Sequence, residues 1–178
     1  MRLNTIHSEK EEANGKKGIF SFHYDIDNWR ASQVRNMGMV EGNIPVSDND
    51  WEKVTRGGDQ AIKNWIAEQL KWRVCTVVLV GEFTASRKWV KHEIEESWKA
   101  SKGVVGIHIH GLKNRSGDQG TKGNNPFENV IINGKKLSSI VKLYDTPYVT
   151  STYVYDYIKE NIANWVDEVI KIRAINRL

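Results

Sequence analysis

Only one cysteine, Cys75, and three prolines occur in 178 residues, and no apolar run approaches the roughly 18 residues a membrane span requires. A lone thiol builds neither a disulfide framework nor a multi-thiolate metal site, and it makes a reducing, cytoplasmic address the expectation. The N-terminal stretch MRLNTIHSEKEEANGKK is polar throughout and carries no secretory pattern. Charge of one sign is scarce as well: 26 Lys and Arg stand against 22 Asp and Glu, a formal net charge of +4. Duplex-binding proteins gather a larger basic excess on one element, so nucleic acid is disfavoured as a partner and a small anionic ligand suits the balance. Gly-x-Ser-x-Gly, the P-loop and the dinucleotide fingerprint are all missing. The serine-hydrolase elbow and the glycine phosphate cradle fall with them.

What is present describes a soluble globular chain: 39% hydrophobic, 27% charged, with seven Trp. The length suits a single domain, expected over 17–173 between a polar extension (1–16) and a short tail (174–178). Residues 74–80 and 104–110 are apolar on both alternating faces, as central parallel strands covered by helices on each side would be. Residues 18–24 and, more weakly, 140–144 read as further strands. Helices are predicted from an N-cap at Asp27 to about Met37, and from Gly57-Gly58-Asp59 along Ile62, Trp65, Ile66 and Leu70. Two more are expected, one from Thr84 or Ser86 along Val90, Ile94 and Trp98, the other over about 151–172. The stretch 111–135 reads as a long loop. This alternation predicts an α/β fold, a wound parallel sheet with helices on both faces. Ligands in such sheets bind beyond the carboxyl ends of the strands, here just after Tyr24, Val80 and His110.

The sharpest constellation lies on the third helix. Trp89 and Glu93, at i and i+4, share one helix face. Glu93 adjoins Ile94 at the edge of the apolar stripe. It is either a border acid paired with a lysine such as Lys88 or an acid facing a cleft. His108 and His110 share one face of a strand, which suits packing at a strand end better than a metal site lacking further ligands. The Asp25/Asp27 pair suggests a receiver-type acidic pocket, but Val80-Gly81-Glu82 lacks the acceptor aspartate such a domain needs. Ser86 reads first as a helix cap.

Several motifs together resemble a known family. Phe20-Ser-Phe-His-Tyr24, Trp51, Thr76-Val-Val-Leu-Val-Gly81 and Arg87-Lys-Trp-Val-Lys-His-Glu-Ile94 are similar to a TIR-like domain. More narrowly they resemble the stand-alone TIR proteins of bacterial Thoeris anti-phage defence, the ThsB family. Gly106-Ile-His-Ile109, Lys122-Gly-Asn-Asn-Pro-Phe127 and Leu143-Tyr144 extend the resemblance over about residues 18–172. It implies a flavodoxin-like fold and an enzyme that takes NAD+ as substrate, with no resident cofactor or metal. By that resemblance Glu93 is the catalytic acid beside the ribose that bears nicotinamide, and Trp89 walls the pocket. Phe22, His23 and Tyr24 line the nucleotide site, and Phe20, Ser21, Trp51, Ser86 and His108 complete the candidate substrate-binding set. The implied product is a cyclic or otherwise modified ADP-ribose that activates a separate effector protein. A phage protein as trigger and homo-oligomerisation on activation are implied too. Two positions depart from the family pattern: His23 stands where many relatives are basic, and His110 where asparagine is expected.

The chemistry can be argued without the family. Breaking the nicotinamide–ribose bond leaves an oxocarbenium-like sugar, which an ionised acid in a partly dry pocket stabilises. Two other readings use the same residues. One is a non-enzymatic TIR-like scaffold or sensor acting by protein–protein association. The other is a nucleoside deoxyribosyl-transfer enzyme, which also places a glutamate on a wound sheet.

Overall fold

The protein is described from a computed structural model, which covers residues 16–42 and 53–176. In chain order the elements are β1 (Gly18–Ser21), α1 (Tyr24–Asn36), α2 (Gly58–Leu70), β2 (Cys75–Val80), α3 (Lys88–Lys99) and β3 (Gly103–His108). A short hairpin follows, β4 (Ile131–Ile132) and β5 (Lys135–Lys136), then β6 (Lys142–Tyr144) and the long α4 (Ser151–Ile175). The main sheet has the order β1-β2-β3-β6, and every pairing in it is parallel. Beyond α1 the chain touches the outer flank of β1 through a single parallel bridge between Lys17 and Glu41, then crosses by α2 to β2 on the other side. Strand order therefore reverses between β1 and β2. In wound sheets the crevice above that reversal is where ligands sit.

The period-two alternation of the strands builds two cores. Val77 and Leu79 of β2 join Phe20, Val105 and Ile107 against α1 and α4. Val78 and Val80 point the opposite way and meet Val90, Ile94 and Trp98 of α3. Ile19 of β1 carries the second face outward to Ile62, Ile66 and Leu70 of α2. Every residue of β2 and β3 is buried, as strands covered on both faces must be. The α/β wound sheet read from the sequence is the fold observed.

Several boundaries move, each for a local reason. The first helix starts at Tyr24, with His23 at its N-cap and no capping side chain. Asp27 is not the cap. It lies one turn inside the helix, turned inward and paired with Arg30 at 3.2 Å. Gly81 makes room for it, since a Cβ there would stand 2.1 Å from Asp27 Oδ2. The third helix starts at Lys88, and neither Thr84 nor Ser86 caps it. Instead Thr84–Ser86 form a 3-10 turn in which Thr84 Oγ1 accepts from the Gly81 N–H at 2.9 Å. Ser86 Oγ donates to the Phe83 carbonyl at 2.8 Å. The expected loop 111–135 holds structure of its own. Asn125 accepts from the Phe127 N–H at 2.9 Å, starting a 3-10 turn (Pro126–Asn129) that delivers Phe127 into the core over Gly106.

Candidate active site

At the reversal between β1 and β2 a cavity of about 400 Å³ opens above the carboxyl end of β1, between the start of α1, α2 and the first turns of α3. Its size lies in the range of small-molecule sites. Ser21 ends β1 on the same side of the strand as Ile19, so its hydroxyl turns toward α3. There Ser21 Oγ donates a hydrogen bond to Oε2 of Glu93. The helix is held at this turn from below: Ser97 Oγ donates to the Glu93 carbonyl at 2.5 Å and shares a 2.6 Å bond with Thr76 Oγ1 of β2. Glu93 therefore sits on a helix stitched to the sheet, its acid fixed by a strand-borne hydroxyl.

The electrostatics follow from the packing. Glu93 as a whole residue keeps some exposure, while its carboxyl end is deep in the protein. Burial pushes its acid up to about 7, and the Ser21 hydrogen bond pulls the other way. No cation partners Glu93 among the described residues. Lys88, the lysine a border acid would use, instead pairs with Asp59 and lies 4.6 Å over the Trp89 ring. His23 is buried, its Nδ1 3.4 Å from Arg87 Nη2 and its Nε2 3.7 Å from Asp25 Oδ2. Burial first, and the Arg87 charge second, lower its pKa, so its ring is neutral near pH 7.

Aromatic rings make the walls. Phe22 and Tyr24 stack with centroids 6.2 Å apart, and the Arg35 guanidinium stands 5.3 Å from the Phe22 centroid. Across the cavity Trp89 packs onto the α2 side of the core together with Trp65.

The fold brings Phe20, Ser21, Phe22, His23, Tyr24, Ser86, Trp89 and Glu93 to this one cavity. Phe20 belongs mainly to the core, because it faces α1 and α4. His108 does not reach the cavity. It ends β3, on the far side of β2 from β1, and is buried against His110 with ring centroids 5.6 Å apart. Burial holds its pKa down to about 4. Trp51 lies outside the described residues. Asp25 and Asp27 do not converge, since Asp25 is exposed at the cavity rim and Asp27 is committed to Arg30. Among the described residues no three His, Cys, Asp or Glu side chains gather as a metal site.

Arg35, Trp65, Arg87 and Lys88 also line the cavity, a placement that the sequence reading does not assign to them. Trp65 was visible as part of an apolar stripe. Arg35 had no such signal, because a cation in the last turn of a helix is expected there for the helix dipole alone.

Comparison with known proteins places this geometry in context. The family model described as "Thoeris protein ThsB, TIR-like domain" matches residues 19–114, which hold every cavity residue discussed here. A protein of Bacillus cereus (strain MSX-D12) bearing the name "Putative cyclic ADP-D-ribose synthase ThsB1" is 35% identical over 118 residues. The match takes in 64% of this chain and 62% of that protein, so the chain spans under two thirds of its relative's length.

Proposed function

The chain belongs to the Thoeris ThsB family of TIR-like domain proteins, and from that membership we propose that it consumes NAD+, breaking the nicotinamide–ribose bond and closing the remaining ADP-ribose into a cyclic product. One observation carries the reading: a desolvated glutamate, held by a serine and without a cationic partner among the described residues, lines an aromatic cavity at the sheet's switch point. The name of the Bacillus cereus relative supports the same chemistry.

The steps follow from charge. The C1′–N1 bond breaks and its electron pair leaves with nicotinamide, which becomes neutral. Positive charge passes to the ribose ring, and ionised Glu93 stabilises it. A nucleophilic nitrogen or hydroxyl elsewhere in the same molecule then attacks C1′ and releases one proton. The balance is NAD+ to cyclic ADP-ribose, nicotinamide and H+. Phe22, Tyr24 and Trp89 cover the sugar and keep water from competing for C1′, which favours cyclisation over hydrolysis. The elevated pKa of Glu93 suits the cycle. With a pKa of about 7 the acid is about half protonated at neutral pH, and a cationic substrate supplies a charge partner that favours its ionised form.

The product is a signal for a separate effector, a reading that rests on family membership alone. Triggering by a phage component and self-association on activation belong to the same reading.

The test is direct. NAD+ incubated with the protein, with and without extract from phage-infected cells, is followed by chromatography and mass analysis. Nicotinamide and a product of cyclic ADP-ribose mass are expected together. Glu93→Gln should lower nicotinamide release by on the order of 10²-fold or more with folding preserved. A folded variant that releases nicotinamide at the parent rate would sink the assignment.

A further inference from the structure

The cavity has a second charged pole that the chemistry at Glu93 does not use. Arg35 comes from the last turn of α1 and lines the cavity over the Phe22 face. Its Nε is buried with no hydrogen-bond partner, and it has no acidic partner among the described residues. Arg35 as a residue is half-buried, but its enclosed Nε forgoes water without gaining an acceptor, which marks a place where a ligand can supply the negative charge. Arg87 enters the same cavity from the start of α3. Arg87 is exposed, its Nη2 lies 3.4 Å from His23 Nδ1, and it too has no carboxylate partner among the described residues. Other basic side chains nearby are already engaged, as Lys88 is with Asp59.

The cavity therefore carries both signs of charge. Its lining holds an acid fixed by Ser21 and two guanidiniums with no carboxylate partner among the described residues. A ligand carrying a cationic ring and a diphosphate in one molecule matches that layout. A nucleoside matches only half of it. We propose that Arg35, assisted by Arg87, binds the diphosphate of the substrate and makes the site selective for dinucleotides over nicotinamide ribosides lacking phosphate. This deepens the reading of the Glu93 site and rests on it for the identity of the substrate. Guanidinium suits the task because its planar fork gives paired, charge-assisted hydrogen bonds to phosphate oxygens.

The experiment measures binding, which turnover does not enter. ADP-ribose is titrated by calorimetry into the full chain, Arg35→Gln and Arg35→Lys, all in the Glu93→Gln background. Arg35→Gln is expected to weaken ADP-ribose at least ten-fold, with Arg35→Lys between it and the parent. Adenosine, which has no phosphate, should bind both Arg35 variants and the parent alike. On the unsubstituted chain, raising salt from 50 to 300 mM should weaken ADP-ribose several-fold and leave nicotinamide riboside cleavage unchanged. That arm keeps the test decisive should Arg35→Gln fold poorly. Equal ADP-ribose affinity in a folded Arg35→Gln protein, salt-independent binding, or no ADP-ribose binding at all would overturn the proposal. The two readings fail separately: nicotinamide release that persists in folded Glu93→Gln strikes the Glu93 chemistry, whereas an unmoved ADP-ribose affinity strikes Arg35.

Discussion

At Glu93 the demands of folding and of chemistry oppose each other, and pH exposes the conflict. An acid whose pKa is about 7 in the folded chain and 4.5 as a free side chain binds more protons folded than unfolded between those values. Stability is therefore lost as pH rises from 4.5 towards 7, and the full penalty of the ionised form is present above 7. Glu93→Gln does not titrate. It should match the parent near pH 4 and exceed it at pH 8, by on the order of 1–2 kcal/mol once the shift is discounted for residual solvent screening. Thermal melts at the two pH values check this. Activity should move the other way. With ionised Glu93 required in the free enzyme, kcat/KM should climb with pH up to about 7 and level off beyond it. The Ser21 hydroxyl favours the ionised form, so Ser21→Ala should shift that inflection upward as well as lower kcat/KM by roughly ten-fold. A pH–rate profile of Ser21→Ala with the parent inflection would make the serine a mere packing residue.

At the scale of elements, several contacts leave no room for a side chain. A Cβ on Gly123 would stand 1.9 Å from the Gly81 carbonyl oxygen, so the loop that delivers Phe127 lies directly on the end of β2. Gly123→Ala should cost upwards of about 3 kcal/mol, at the top of the usual range for overpacking, because the obstacle is backbone. Phe127→Ala should cost about 3–5 kcal/mol, since the ring is fully buried against Gly106. Urea denaturation midpoints measure both. These contacts also explain what sequence could and could not disclose. β2 and β3 were legible because unbroken apolar runs of strand length have few alternatives. α3 was legible through Val90, Ile94 and Trp98. The starts of α1 and α3 are hidden in the sequence because neither helix uses a capping side chain, so the cap-type residues nearby, Asp27 and Thr84 or Ser86, mark the wrong positions. Asp27 serves the interior instead, beside a glycine whose significance depends on a neighbour far along the chain.

For the whole molecule, the site is a product of topology. Ser21, Tyr24, Glu93 and Trp89 come together because strand order reverses between β1 and β2, which the alternation of elements already implied. His108 stands apart at this same scale: the end of β3 is also a carboxyl edge, but it lies beyond β2 and off the crevice. Arg35 was illegible for the converse reason, as only the closed fold turns that helix end into a cavity wall. Ligand binding should stabilise the fold as a unit. With Glu93→Gln blocking turnover, NAD+ at 100 times its Kd should add about 2.7 kcal/mol, visible as a rise in Tm. A melt unmoved by saturating NAD+ would place the dinucleotide elsewhere.

The hydroxyl and the acid that it holds are 72 residues apart in the chain. No stretch of chain that stops short of α3 can assemble them, because the sheet's first two strands and α3 must all be in place beforehand. Under the proposed NAD+ chemistry the connectivity is a safeguard: half-made copies on the ribosome and damaged copies that lack this contact are equally inert.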